Sequence, residues 1–156
     1  YEHAPRPRLP GIDRHELLDD ALLVALHPDH PVATRGGPVR MSDLEGEPWA
    51  APRHHTAYAD MLVRACRSEG RFEPDFRHRV NDMQTILALV AAGLAVALVP
   101  TLGHPELRTD VAVRSLAGKG LSRSVFASVR AGAGERPAVA ALLDAIRPVP
   151  APPRPG

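Results

Sequence analysis

The residues best equipped for chemistry in this sequence lie in three short stretches: Arg53-His54-His55-Thr56, Asn81, and Pro100-Thr101. Thr56 and Asn81 are polar residues of the kind that cap helices. Each precedes a segment with helical spacing of apolar residues and follows a segment that reads as a strand. A helix N-terminus offers free amides and the positive end of the peptide dipole, which suits a carboxylate or other anion. In open α/β sheets, ligands gather at the carboxyl ends of strands where the connections change direction. Arg53, His54, His55, Thr56, Asn81, Pro100 and Thr101 are therefore the candidate ligand-binding residues. Capping alone would account equally for Thr56 and Asn81, and a strand end for Pro100 and Thr101.

The adjacent His54 and His55, with His27, His30 and His78 elsewhere in the chain, raise the question of a metal. Neighbouring residues of an extended segment point to opposite faces, and no Cys or carboxylate stands beside them at a regular ligand spacing, so no metal site is expected. The chain has no G-x-S-x-G elbow, no H-E-x-x-H, no P-loop and no G-x-G-x-x-G. Gly132-Ala133-Gly134 lacks the third glycine and reads as a loop. Neither a catalytic residue nor a cofactor is expected, and the chain does not read as an enzyme.

Composition narrows the choice further. The single cysteine, Cys66, excludes an internal disulfide and a multi-thiolate site, and fits a buried, inert thiol in a reducing compartment. A formal charge of +1 is too small a field to hold nucleic acid nonspecifically. The basic clusters Arg35–Arg40 and Arg77–Arg79 lack interleaved aromatics and read as solvated faces. The longest apolar run, Ile86–Pro100, is broken by Gly93 and falls short of the roughly 20 residues a bilayer span requires. The chain opens without Met and without a basic-then-apolar leader pattern, which reads as a cut. A cytoplasmic location is expected, with no membrane contact.

The elements that must position these residues follow from spacing. At 156 residues there is room for one globular unit. Tyr1–Arg14, rich in proline, reads as loop. Asp20–His27 is apolar on both faces, as a buried strand is, and the prolines at 28 and 31 end it. Ser42 with Glu45 forms a capping box for a short helical turn, and Trp49–Pro52 is a short strand. Thr56 caps a helix with Tyr58, Met61, Leu62, Ala65 and Cys66 on one face, closed by Gly70. Asp75–Val80 is a strand. Asn81 with Gln84 caps a helix bearing Met83, Ile86, Leu87 and Val90, stopped by Gly93, and Leu94–Val99 is a buried strand. Val111–Leu116 and Ser122–Arg130 are further strands, and Pro137 opens a helix with Val139, Leu142, Leu143 and Ile146. Five of the last nine residues are proline, so Pro148–Gly156 is expected to be an extended tail. Strands alternating with helices predict a mostly parallel sheet covered on both faces.

Four stretches in this order, ALLVALHPDHPVA (Ala21–Ala33), MSDLEGEPWAAP (Met41–Pro52), VNDMQTILALVAAGLAVALVP (Val80–Pro100), and VFASVR followed by PAVAALLDAIR, resemble the effector-binding domain of LysR-type transcriptional regulators. The similarity runs from about Leu17 to Arg147. It implies an α/β, type II periplasmic-binding-protein-like two-lobed fold, with a small ligand between lobes joined by crossover strands. On that pattern 1–16 is a remnant of the first lobe, 17–38 the first crossover strand and its connection, and 39–118 a complete second lobe. Residues 119–147 are then the return crossover and the closing helix of an otherwise partial first lobe, and 148–156 the tail.

The implied function is sensing of a small, anionic organic effector, with self-association as homodimer or homotetramer. DNA is contacted only through a winged helix-turn-helix missing from this chain. A solute-binding protein or an enzyme on the same fold is the alternative, since fold does not determine function, and a nonfunctional truncated copy is a third.

Overall fold

The computed structural model describes residues 9–53 and 56–146, so His54, His55 and the expected tail lie outside the described residues. Two compact units emerge: one of residues up to Asp20 and from Ser124 onward, the other Ala21–Arg123. Strand β1 (Ile12–Leu26) belongs to both. Its first eight residues are exposed or half-buried, and from Asp20 onward all but Ala21 are buried. The strand expected at Asp20–His27 is thus the second half of a longer one, and the loop expected through Arg14 gives way to strand from Ile12. The polar first half is extended because its backbone pairs with β6, a partner about a hundred residues away that local composition cannot reveal.

In the larger unit, β1 is flanked by β4 (Ala97–Pro100) and β5 (Ala112–Ser115), both antiparallel to it. Leu23 lies opposite Val99 on one side and Ser115 on the other. β2 (Pro48–Ala51) pairs in parallel with β3 (Asp75–Arg79), and a parallel bridge joins Trp49 to Val96. The resulting order is β3-β2-β4-β1-β5, a mixed sheet where a mostly parallel one was expected. The crossovers through α2 (Ala57–Ala65) and α3 (Met83–Ala91) make β2, β3 and β4 parallel. β1 leaves through a long connection without that constraint and runs against its neighbours.

Both faces of this sheet are covered, which is why its strands read as continuous apolar runs. Leu22, Val24 and Leu26 of β1, Trp49 and Ala51 of β2, and Val96 and Leu98 pack with Leu62, Ala65 and Cys66 on the α2 side. Leu23, Ala25, Ala50, Ala97 and Val99, one residue out of phase, pack with Ile86, Leu87 and Val90 of α3 on the other. Trp49 is fully buried, its ring 6.4 Å from that of Phe72.

Three local expectations change. The connection after β1 contains a short helix, α1 (Pro31–Arg35), because His30 Nδ1 accepts the Val32 amide at 3.1 Å and Pro31 fits a first turn that needs no donor. The turn at Met41–Leu44 is closed by Asp43, whose carboxylate accepts the Arg40 amide at 3.1 Å, and not by a Ser42–Glu45 box. The cap of α3 is Asp82, which accepts the Thr85 amide at 2.8 Å, and not Asn81. Thr56 does cap α2, accepting the Ala59 amide at 3.1 Å. Gly93, at φ 69°, follows α3 in the left-handed conformation expected of a helix stop.

In the smaller unit, the first half of β1 pairs with β6 (Leu121–Arg130). The Ala131 amide donates to the Gly11 carbonyl at 2.9 Å and the Ser124 hydroxyl to Asp19 at 2.7 Å, so the strands run antiparallel. The Arg14 guanidinium stacks 4.6 Å from the Phe126 ring centroid. Helix α4 (Pro137–Ile146) starts with proline at its first position, as expected, and buries Leu143.

Candidate functional site

The chain's connections change direction between β2 and β4. From β2 the crossover through α2 leads outward to β3; from β3 the crossover through α3 returns past β2 to β4. The two helices consequently lie on opposite faces, as their separate cores show. Between the carboxyl ends of β2 and β4 no crossover covers the sheet edge, which is the arrangement that leaves a crevice for a ligand. Arg53 and Thr56 follow β2, Asn81 follows β3, and Pro100 and Thr101 end β4. These five predicted residues therefore share one edge of the sheet. His54 and His55 lie outside the described residues.

The loop after β2 is tied down by β3. The Val80 amide donates to the Ala51 carbonyl at 2.9 Å, and the Arg53 amide to Asn81 Oδ1 at 3.0 Å. Asn81, freed from capping by Asp82, thus fixes the backbone of Arg53 across 28 residues of sequence. Thr56 Oγ1 donates to the Arg53 carbonyl at 3.3 Å while accepting from Ala59, so one hydroxyl sets both the loop and the first turn of α2. From that turn, the Tyr58 hydroxyl reaches the Leu98 carbonyl at 2.8 Å and fastens α2 to β4. Pro100 is buried and Thr101, 5% exposed, starts a short 3-10 turn. Arg53 and Asn81 are exposed. The edge is a hydrogen-bonded set of strand ends with polar groups and two helix N-termini at its surface.

Arg79 was read as part of a solvated basic cluster, and the structure separates it from that cluster. Arg77 pairs with Asp75 at 2.7 Å in solvent. A register shift in the β2–β3 pairing places an extra residue on β3, so Phe76 and Arg79 fall on the same face. The Arg79 guanidinium lies 3.7 Å from the Phe76 centroid and donates to the Pro52 carbonyl at 3.0 Å. Burial lowers its pKa from the ordinary guanidinium value, and its Nε finds no acceptor among the described residues. A bulge is set by pairing, so no residue pattern in β3 announced this position.

Among the described residues no group of three His, Cys, Asp or Glu side chains is placed to hold a metal ion, and no helix is long and apolar enough to cross a membrane. Cys66 is buried, with its sulfur 3.9 Å from that of Met41, and burial together with the charge of Glu73 pushes its pKa up to about 12.

A mixed sheet covered on both faces, with polar groups gathered where its crossovers diverge, defines an α/β binding domain of the type II periplasmic-binding-protein kind. The chain belongs to the family described as the LysR substrate binding domain, which matches residues 3–151. Among curated relatives, the HTH-type transcriptional regulator CatR of Pseudomonas putida is 32% identical over 127 residues, covering 79% of this chain and 42% of its own length. The DNA-binding transcriptional dual regulator OxyR of Escherichia coli is 34% identical over 92 residues, covering 59% and 30%. Among solved structures, the BenM effector binding domain with its effector benzoate superposes with a TM-score of 0.76 at 25% identity, over 91% of this chain and 64% of that one. Full-length CbnR in complex with its target DNA gives 0.76 at 24% identity, over 90% and 49%. The chain spans less than half the length of the curated relatives it matches.

Proposed function

We propose that this chain is the effector-sensing part of a cytoplasmic LysR-type transcriptional regulator. A small organic anion binds against the carboxyl edge of the larger unit's sheet, and nothing covalent happens to it. The unit Ala21–Arg123, with the expected second lobe 39–118 at its heart, carries the site residues Arg53, His54, His55, Thr56, Asn81, Pro100 and Thr101. Contact with DNA belongs to a winged helix-turn-helix outside this chain, and the regulator works as a homodimer or homotetramer.

The observation that carries this reading is the convergence of Arg53, Thr56, Asn81, Pro100 and Thr101 on one sheet edge at the point where the crossovers diverge. The Asn81–Arg53 and Thr56–Arg53 hydrogen bonds hold that edge in shape before any ligand arrives, which lowers the ordering cost of binding. Binding can act as a signal only if it favours one arrangement of the protein over another.

The test is a thermal-shift and calorimetric titration with benzoate, the effector in the BenM structure, and a set of aliphatic mono- and dicarboxylates. A ligand at 100 times its Kd adds about 2.7 kcal/mol to the stability of the folded chain, a readily measured rise in Tm. The expected result is at least one carboxylate that binds saturably and loses affinity in Asn81→Ala. Uncharged isosteres binding as well as the acids, or affinity indifferent to Asn81, would overturn the proposal.

A further inference from the structure

The same carboxyl edge holds a second recess, two strands away from the β2–β4 crevice. Its walls are Ala21, Leu22 and Leu23 of β1, Ser115 and Leu116 at the end of β5, and the segment Gly118–Ser122 that leads into β6, and it encloses about 100 Å³. Leu23 pairs with Ser115 on one side and Val99 on the other, so the recess sits beyond β1 from Pro100, on the order of 10 Å away at ordinary strand spacing. None of the candidate ligand-binding residues named from the sequence lines it.

Its chemistry is specific. Lys119 is the single lysine of the chain, against 18 arginines. It stands exposed between Gly118 and Gly120, at φ 76° and 66°, and a Cβ added to either glycine would meet nothing within 4 Å. The ion pairs formed by the chain's other cations use Arg and His, and Lys119 has no carboxylate partner among the described residues. An ammonium is a compact point charge with three rotatable donors, which can meet a small anion from several directions. The Ser115 and Ser122 hydroxyls add polar groups, and Ala21 and Leu23, which share one face of β1 with Ser115 opposite, add an apolar wall.

We propose that this recess is a second binding subsite, taking a short-chain aliphatic carboxylate, with Lys119 holding the carboxylate and the tail packed against Ala21 and Leu23. A recess of about 100 Å³ is smaller than a closed cavity of about 150 Å³ that holds benzene, which favours a short aliphatic acid over an aromatic one. The apolar wall selects a carboxylate with a hydrocarbon tail over inorganic phosphate.

A unique lysine permits a direct test. Reductive methylation with ¹³C-formaldehyde keeps the charge and places one NMR label on the only side-chain amine, the other amine being the N-terminus. Titration with sodium propionate, against sodium chloride at equal ionic strength, is expected to shift the Lys119 signal saturably together with the amides of Gly118, Gly120 and Ser122. Lys119→Gln, followed through those amides, weakens propionate by about tenfold, the scale of a lost charge-assisted hydrogen bond. Ala21→Leu, which fills the recess and leaves the ammonium in place, abolishes saturation. A linear response matching chloride, inorganic phosphate binding as tightly as propionate, or shifts confined to Arg53, Thr56 and Asn81 would each overturn the subsite. The last result would leave the effector site of the β2–β4 edge standing.

Discussion

Treating the folded chain with hydrogen peroxide separates what it shares with its peroxide-responsive relatives from what it does not. The reactive species is the thiolate. Cys66 has no exposed surface, and burial, reinforced by the charge of Glu73, raises its pKa from the ordinary 9.0 to about 12. At pH 7 the thiolate fraction falls from roughly one in a hundred to roughly one in a hundred thousand, three decades, since each unit of pKa is a factor of ten. Access multiplies the effect, because peroxide must reach a sulfur enclosed by Met41 and the α2 face of the core. The expectation is that oxidation of Cys66 in the native chain is slower than in the urea-unfolded chain by about a thousandfold or more, set by the rare opening of the fold. Intact mass and thiol titration against time, at pH 7 with and without urea, measure both rates. A native rate within tenfold of the unfolded one would refute the reasoning.

Three further outcomes are expected. Thr56→Ala removes the cap of α2 and the tie to Arg53, and lowers stability by about 1 kcal/mol in urea unfolding, while Thr56→Ser retains most of it. Asp82 has its pKa held down from 3.8 by the hydrogen bonds from the Thr85 side chain and backbone. Its charged form therefore supports the fold fully above the ordinary carboxylate range, and that support disappears as pH falls through the depressed value. Asp82→Asn, which can still cap, should flatten the acid limb of a Tm-against-pH curve below about pH 4 and leave the neutral Tm nearly unchanged; parallel curves would count against the assignment. Gly93→Ala places a Cβ 3.8 Å from the His27 ring, an ordinary contact, so its cost is the left-handed backbone alone, about 1–2 kcal/mol. An unchanged Tm in that variant would show that the turn relaxes.

Much of this molecule is written in local pattern. Thr56 ahead of Tyr58, Met61 and Leu62, and the run from Met83 to the stop at Gly93, define α2 and α3 because a helix is made of contacts three and four residues apart. The edge residues Arg53, Thr56, Asn81, Pro100 and Thr101 were found for the same reason: strand ends and helix starts are marked by polar and proline residues wherever the sheet later puts them. Asn81 follows β3, but it does not cap α3. Capping can be satisfied by either of two adjacent polar residues, and only the approach of the Arg53 amide decides that Asp82 caps while Asn81 reaches across.

Strand direction, register and the recess beside Lys119 were beyond the sequence. The apolar run Leu22–Leu26 announces burial on both faces, yet an apolar strand satisfies either a parallel or an antiparallel neighbour, so β1 running against β4 and β5 was settled by which segments met it in space. The polar half of β1 became a strand because β6 supplied partners for its backbone, and Arg79 turned onto Phe76 because the β2–β3 ladder takes up an extra residue. The sequence by itself determined the longer helices α2, α3 and α4 and the buried apolar strands, since those are patterns among neighbours along the chain. Only the tertiary structure decided pairing, register and the shape of the edge, since hydrogen bonds between strands and the walls of a recess join residues that the chain holds far apart.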